Sequence, residues 1–174
     1  MRRLADAGRM RDFMRALGRA AAAPGQAFLT GGATAVLLGW RDTTVDIDLK
    51  LVPDQDALLR AIPALKESLE LNVELAAPDD FIPVHPSWME RSAFIVQEGL
   101  LTFRHFDLYA QALSKIERGH AQDLADVQNM LAAELVTRDE LREYFAEIEP
   151  RLYRYPAIDP HSFRNALDRA IGQH

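Results

Sequence analysis

The stretch from Ala27 to Leu51, AFLTGGATAVLLGWRDTTVDIDLKL, leaves the chain few choices of fold. Ala27–Thr30 is a short apolar run that ends in the pair Gly31-Gly32. Ala33–Leu38 is small, apolar and of helical length, and Gly39 closes it in the manner of a helix C-terminus. Val45–Leu51 then alternates: Val45, Ile47 and Leu49 fall on one side, Asp46, Asp48 and Lys50 on the other. A period of two predicts a strand with one buried face. The unit reads as strand, glycine turn, short helix, strand.

Asp46 and Asp48 thus point the same way, one pleat apart. Like charges on one face destabilise a sheet, so a cation over the pair is expected. Two carboxylates placed to share an ion suit a hard, oxygen-seeking metal such as Mg²⁺ or Mn²⁺. Gly31 and Gly32 add backbone that a ligand can approach, at a helix start where phosphate is favoured. The combination predicts a site for a metal and a triphosphate.

The spacing Gly31-Gly32, then Arg41-x-x-Thr44-x-Asp46-x-Asp48-Leu49, resembles the signature of the nucleotidyltransferase superfamily with the DNA polymerase β-like fold. The likeness continues through Asn72-Val73-Glu74, Pro78-x-Asp80-Phe81-Ile82-Pro83, the block from Gln111 to His120, and Asp123-Leu124-x-Asp126-Val127. Over about Arg11 to Ile171 the chain resembles a bacterial group of that superfamily known as DUF6036. The resemblance implies an α+β fold: a small mixed sheet of about five strands, packed by helices, with a helical C-terminal part. It implies a nucleotidyltransferase core over 1–106 and helices over 107–174, either as two parts or as one domain.

The implied reaction moves a nucleoside monophosphate from an NTP to an acceptor hydroxyl. Asp46 and Asp48 would be metal ligands and catalytic groups. Glu74, on a neighbouring strand, is the candidate for the third acid, with an exposed strand carboxylate as the equal alternative. Gly31, Gly32 and Thr34 would line the phosphates. Arg41 either contacts phosphate or braces the carboxylates. Lys115 would neutralise the triphosphate and Asp126 would orient it; the residues alone read instead as an ion pair between helices. The acceptor is expected to be RNA or protein, in a toxin-like role with an antitoxin partner. A non-catalytic nucleotide-binding or regulatory relative of the fold is the alternative.

The rest of the chain carries fewer signals. Residues 2–22 repeat apolar positions every three or four and predict an amphipathic helix. They hold six arginines against Asp6 and Asp12, on a chain whose net charge is −6. A basic arm of this kind meets nucleic acid or is a solvated helix face. Asp54 is expected to cap a helix over 55–68, which Pro63 should kink or split. Leu69–Leu75 reads as a third strand, and Ala93–Gln97 with Leu101–Phe106 as a hairpin. Asp107 caps a helix over 108–118, Asp123 begins one over 124–134, and Thr137 with Glu140 forms a capping box. Pro150–Pro156 is expected as a basic, aromatic connector before a last helix over 162–171. His85, in the proline-rich loop 76–88, reads as a metal ligand, a proton shuttle or, more often for a lone loop histidine, neither. There are no cysteines, which fits a reducing cytoplasm, and the arginine-rich N-terminus lacks the apolar core of a secretory signal.

Overall fold

The computed structural model describes residues 2–172 and divides into two compact units. The first runs to Ala77 and takes in Ser92–Phe106; the second comprises Pro78–Arg91 and the chain from Asp107 onward. The segment Pro78–Arg91 thus groups with the helices.

The first unit is a five-stranded sheet with helices α1 (Ala7–Ala20), α2 (Gly32–Leu38) and α3 (Asp56–Ser68). Its strands are β1 (Gly25–Thr30), β2 (Asp46–Val52), β3 (Asn72–Glu74), β4 (Phe94–Glu98) and β5 (Leu101–His105), in the order β3-β2-β1-β5-β4. β1 pairs antiparallel with β2 and parallel with β5; β2 and β3 are parallel, and β4 and β5 form the expected hairpin. The mixed α+β architecture agrees with the pattern of the sequence. Ile47, Leu49 and Leu51 of β2 join Met10, Phe13 and Leu17 of α1 in one buried cluster. That cluster is the core of the unit, and it leaves Asp46, Asp48 and Lys50 on the opposite face of β2.

Several element boundaries moved, each for a local reason. The first helix starts at Ala7 because the Asp6 side chain accepts from the backbone of Arg9 at 2.8 Å. The residues before it are extended instead, with Ala5 and Thr44 exchanging backbone hydrogen bonds of 2.8 and 3.0 Å. α3 is continuous through Pro63, which lies on its exposed side while Leu58 and Ile62 anchor the helix in the core. Asp54 does not cap α3: the N-cap is Gln55, whose side chain reaches back to the backbone of Ala22 and Ala23. β3 is three residues long because Leu69 still caps α3 and Glu70 turns with φ at 54°. Val45 lies just outside β2 and is 63% exposed, not on its buried side.

The second unit holds α4 (Leu108–Arg118), α5 (Ala121–Ala132), α6 (Arg138–Ile148) and α7 (Pro160–Ile171). Asp107 caps α4 by accepting from the Tyr109 backbone at 3.0 Å, and Gly119 ends it in the left-handed conformation. α5 begins earlier than expected, with His120 at the N-cap and Asp123 inside the first turn, accepting from the His120 backbone at 3.3 Å. Thr137 caps α6, accepting from Glu140 at 3.3 Å. The return half of that box runs through the Tyr109 hydroxyl, which accepts from the Thr137 backbone at 3.2 Å and donates to the Glu140 carboxylate. The basic, aromatic stretch is a 3₁₀ helix, Glu149–Arg154, with Leu152 buried and Tyr153 72% exposed. Asp159 caps α7, which therefore starts at Pro160. No helix among the described residues is long and apolar enough to cross a membrane.

Candidate active site

β2 carries the candidate site on the face turned away from the core. Asp46 and Asp48 are both half-buried there, as alternation requires. The sheet register then brings specific neighbours beside them. Asp48 stands between Thr30 of β1 and Glu74 of β3, and Asp46 stands opposite Asn72. Glu74 is therefore in the row of Asp48, and it is exposed. Asn72 donates its side-chain amide to Asp46 Oδ1.

The glycine pair closes the site from the side of β1. Gly31 has φ 62° and ψ −131°, a backbone conformation open essentially to glycine alone. A Cβ at Gly31 would stand 3.3 Å from Asp48 Oδ2, so the bare Cα borders the carboxylate directly. Gly32 lies tight against Thr44. A Cβ there would meet Thr44 Oγ1 at 2.0 Å and Thr44 Cβ at 2.7 Å, so its missing side chain makes room for the protein itself. Arg41 is half-buried at this turn, with Nη1 3.3 Å from that same Cβ position.

Thr34 is fully buried. Its hydroxyl lies 2.9 Å from His105 Nδ1 and 3.3 Å from the Leu29 carbonyl, so it serves the interior of the unit. His105 is a residue that no motif in the sequence singles out. It occupies the third buried position of β5, after Leu101 and Phe103, and that alternation is the signal that could have found it. Burial lowers its pKa to about 4, which keeps the imidazole neutral near pH 7. Alternation puts Asn72 on the polar face of β3 with Glu74, and only the sheet register sets it opposite Asp46.

Lys115 and Asp126 lie in the second unit. They form a buried ion pair of 2.7 Å between α4 and α5. One helical turn away, Arg118 grips Asp123 through two bonds of 2.8 and 2.6 Å. Burial alone would raise the Asp123 pKa, but the Arg118 bonds and the charges of Arg118 and Lys115 hold it below the usual carboxylate range. The block from Gln111 to Asp126 is thus a helical hairpin clamped by two parallel ion pairs. A second buried network surrounds Asp107: Tyr144 donates to its Oδ2 at 2.9 Å and Arg91 approaches the same oxygen at 3.1 Å. Burial raises the Asp107 pKa against these partners, and burial beside that carboxylate raises the Tyr144 pKa as well. His85 belongs to this network through its backbone, which donates to the Tyr144 hydroxyl at 2.9 Å.

Of the arginines near the N-terminus, Arg2, Arg3 and Arg9 are tied to the segment Lys66–Glu70. Arg11, Arg15 and Arg19 remain exposed on α1, whose apolar side packs with Ile47 and Leu49. That helix lies across the sheet from the aspartates.

A metal fits this donor set. Among the described residues no group of three or more His, Asp or Glu side chains is gathered to cage an ion. Two carboxylates on one face, however, are what Mg²⁺ uses when substrate phosphates complete its shell. Asp46 and Asp48 would hold it, with the Cα of Gly31 beside the Asp48 carboxylate.

No curated protein and no solved structure matches the chain. A family model matches residues 12–164, most of the sequence. The chain belongs to that family, described as a nucleotidyltransferase of unknown function, DUF6036.

Proposed function

We propose that the protein transfers a nucleoside monophosphate from an NTP to an acceptor hydroxyl, with Asp46 and Asp48 as the essential acids. The observation that carries this reading is the Asp48 carboxylate set against the bare Cα of Gly31, with Asp46 one pleat away on the same face. In balanced form, the acceptor oxygen bonds to the α-phosphorus, the bond from that phosphorus to the bridging oxygen breaks, pyrophosphate leaves, and the hydroxyl proton goes to a base. Such a transfer needs charge neutralisation and in-line placement more than covalent catalysis. Asp46 and Asp48 would hold Mg²⁺ or Mn²⁺, which would supply that neutralisation. Glu74 would take the proton, and its register with Asp48 and its exposure support that role.

The test is incubation of the protein with Mg²⁺ and each α-labelled NTP, with total RNA and cell lysate as acceptors. Label on RNA, protein or a small molecule with the wild type, and none with the Asp46→Asn/Asp48→Asn variant, is the expected result. RNA and protein are the acceptors we favour, in a toxin-like role. Equal labelling by the variant overturns the reading.

A second reading, a non-catalytic nucleotide-binding relative, is favoured by one observation. Lys115 is sequestered in its pair with Asp126. NTP binding without turnover on any acceptor selects this second reading.

A further inference from the structure

We propose that Asn72 is a positioning residue that makes Asp46 a one-oxygen ligand for the cation; this rests on the metal-dependent reading above. Asp46 and Asp48 share a face and repel each other. The β2–β3 register sets Asn72 directly opposite Asp46. Its side-chain amide donates to Oδ1, and this is the one hydrogen bond to that carboxylate among the described residues. Oδ2 of Asp46 is left for a metal.

The choice of side chain matters. A lysine or arginine at position 72 would also bond Asp46, but its positive charge would oppose a cation at the same site. An aspartate would add a third charge to a crowded face. The asparagine amide is a neutral donor that fixes orientation and leaves the site's charge intact. Strand propensity does not explain the residue, because asparagine is depleted in strands and β3 has three residues. Partners that orient a metal-binding side chain typically alter metal affinity by about 10–100-fold when removed.

The experiment is a Mn²⁺ titration of the whole protein with a non-hydrolysable ATP analogue present, following free Mn²⁺ by electron paramagnetic resonance. Asn72→Ala removes the donor; Asn72→Leu removes it while keeping bulk in the short strand, should the alanine variant fail to fold. We expect about a tenfold or greater rise in Mn²⁺ Kd in either folded variant. We also expect no further loss when Asn72→Leu is added to Asp46→Ala, since the two act through one carboxylate. A purely structural role predicts lower thermal stability with unchanged Mn²⁺ affinity, and that outcome overturns the proposal. If Asp48→Ala abolishes Mn²⁺ binding while Asn72→Leu leaves it unchanged, only the role of Asn72 falls. If the wild type does not bind Mn²⁺ with nucleotide, the metal-dependent reading falls and takes this proposal with it.

Discussion

The Oδ2 atom of Asp48 faces the bare Cα of Gly31, 3.3 Å from where a side chain there would begin. A turn after one strand and an acid on the next thereby lie side by side. Gly31→Ala meets both a disfavoured backbone conformation and the carboxylate. We expect it to cost about 1–3 kcal/mol of stability and to weaken nucleotide binding. Urea unfolding and a nucleotide titration check the two effects separately.

Gly32→Ala should be more damaging, because the new Cβ falls within 2.7 Å of Thr44 Cβ. Combining it with Thr44→Gly removes the obstructing atoms. The double variant should recover part of the stability lost in Gly32→Ala, a non-additive result that a double-mutant cycle in urea would show. Simple additivity would mean that Thr44 is not what keeps position 32 bare.

Asp48→Asn should separate function from folding. It abolishes transfer if Asp48 holds the metal. It also removes a like charge from the face of β2, so stability should stay level or rise by about 0.2–1 kcal/mol. Thermal melting beside the labelling assay reads both. Loss of activity together with a large loss of stability would point to a structural acid instead.

Lys115→Ala leaves Asp126 as an uncompensated charge in a buried site. A cost of about 3–5 kcal/mol is expected for either single truncation. The pair Lys115→Met/Asp126→Leu should restore most of it, because an apolar pair of similar size replaces buried ions at little cost. Denaturant midpoints of the three variants decide the matter. A milder single substitution than double one would contradict it.

His105 predicts a pH dependence. Its folded pKa of about 4 lies below its ordinary value of 6.5, so the fold favours the neutral imidazole. Its stabilising effect is therefore complete above about pH 6.5 and is lost as pH falls toward 4. By linkage the loss amounts to about 3 kcal/mol. His105→Gln removes this titration, so the difference in stability between wild type and variant should shrink or reverse between pH 7 and pH 4. A difference that stays constant with pH would refute the assignment.

The sequence by itself determined the periodicity that pairs the two aspartates. Alternation over Val45–Leu51 put Asp46 and Asp48 on one face, because side chains on a strand point to opposite sides in turn. The left-handed turn at Gly39 and the limits of α4 were equally legible, since Asp107, Gly119 and their neighbours act through local hydrogen bonds. What lay beyond local chemistry was decided by tertiary structure. Register between β2 and β3 set Asn72 opposite Asp46 and Glu74 beside Asp48, and register depends on how whole strands bury their apolar faces. Packing decided that Thr34 serves His105 and that Gly32 accommodates Thr44. It also brought Lys115 to Asp126 across the α4–α5 hairpin, because a buried charge is tolerable only beside its partner.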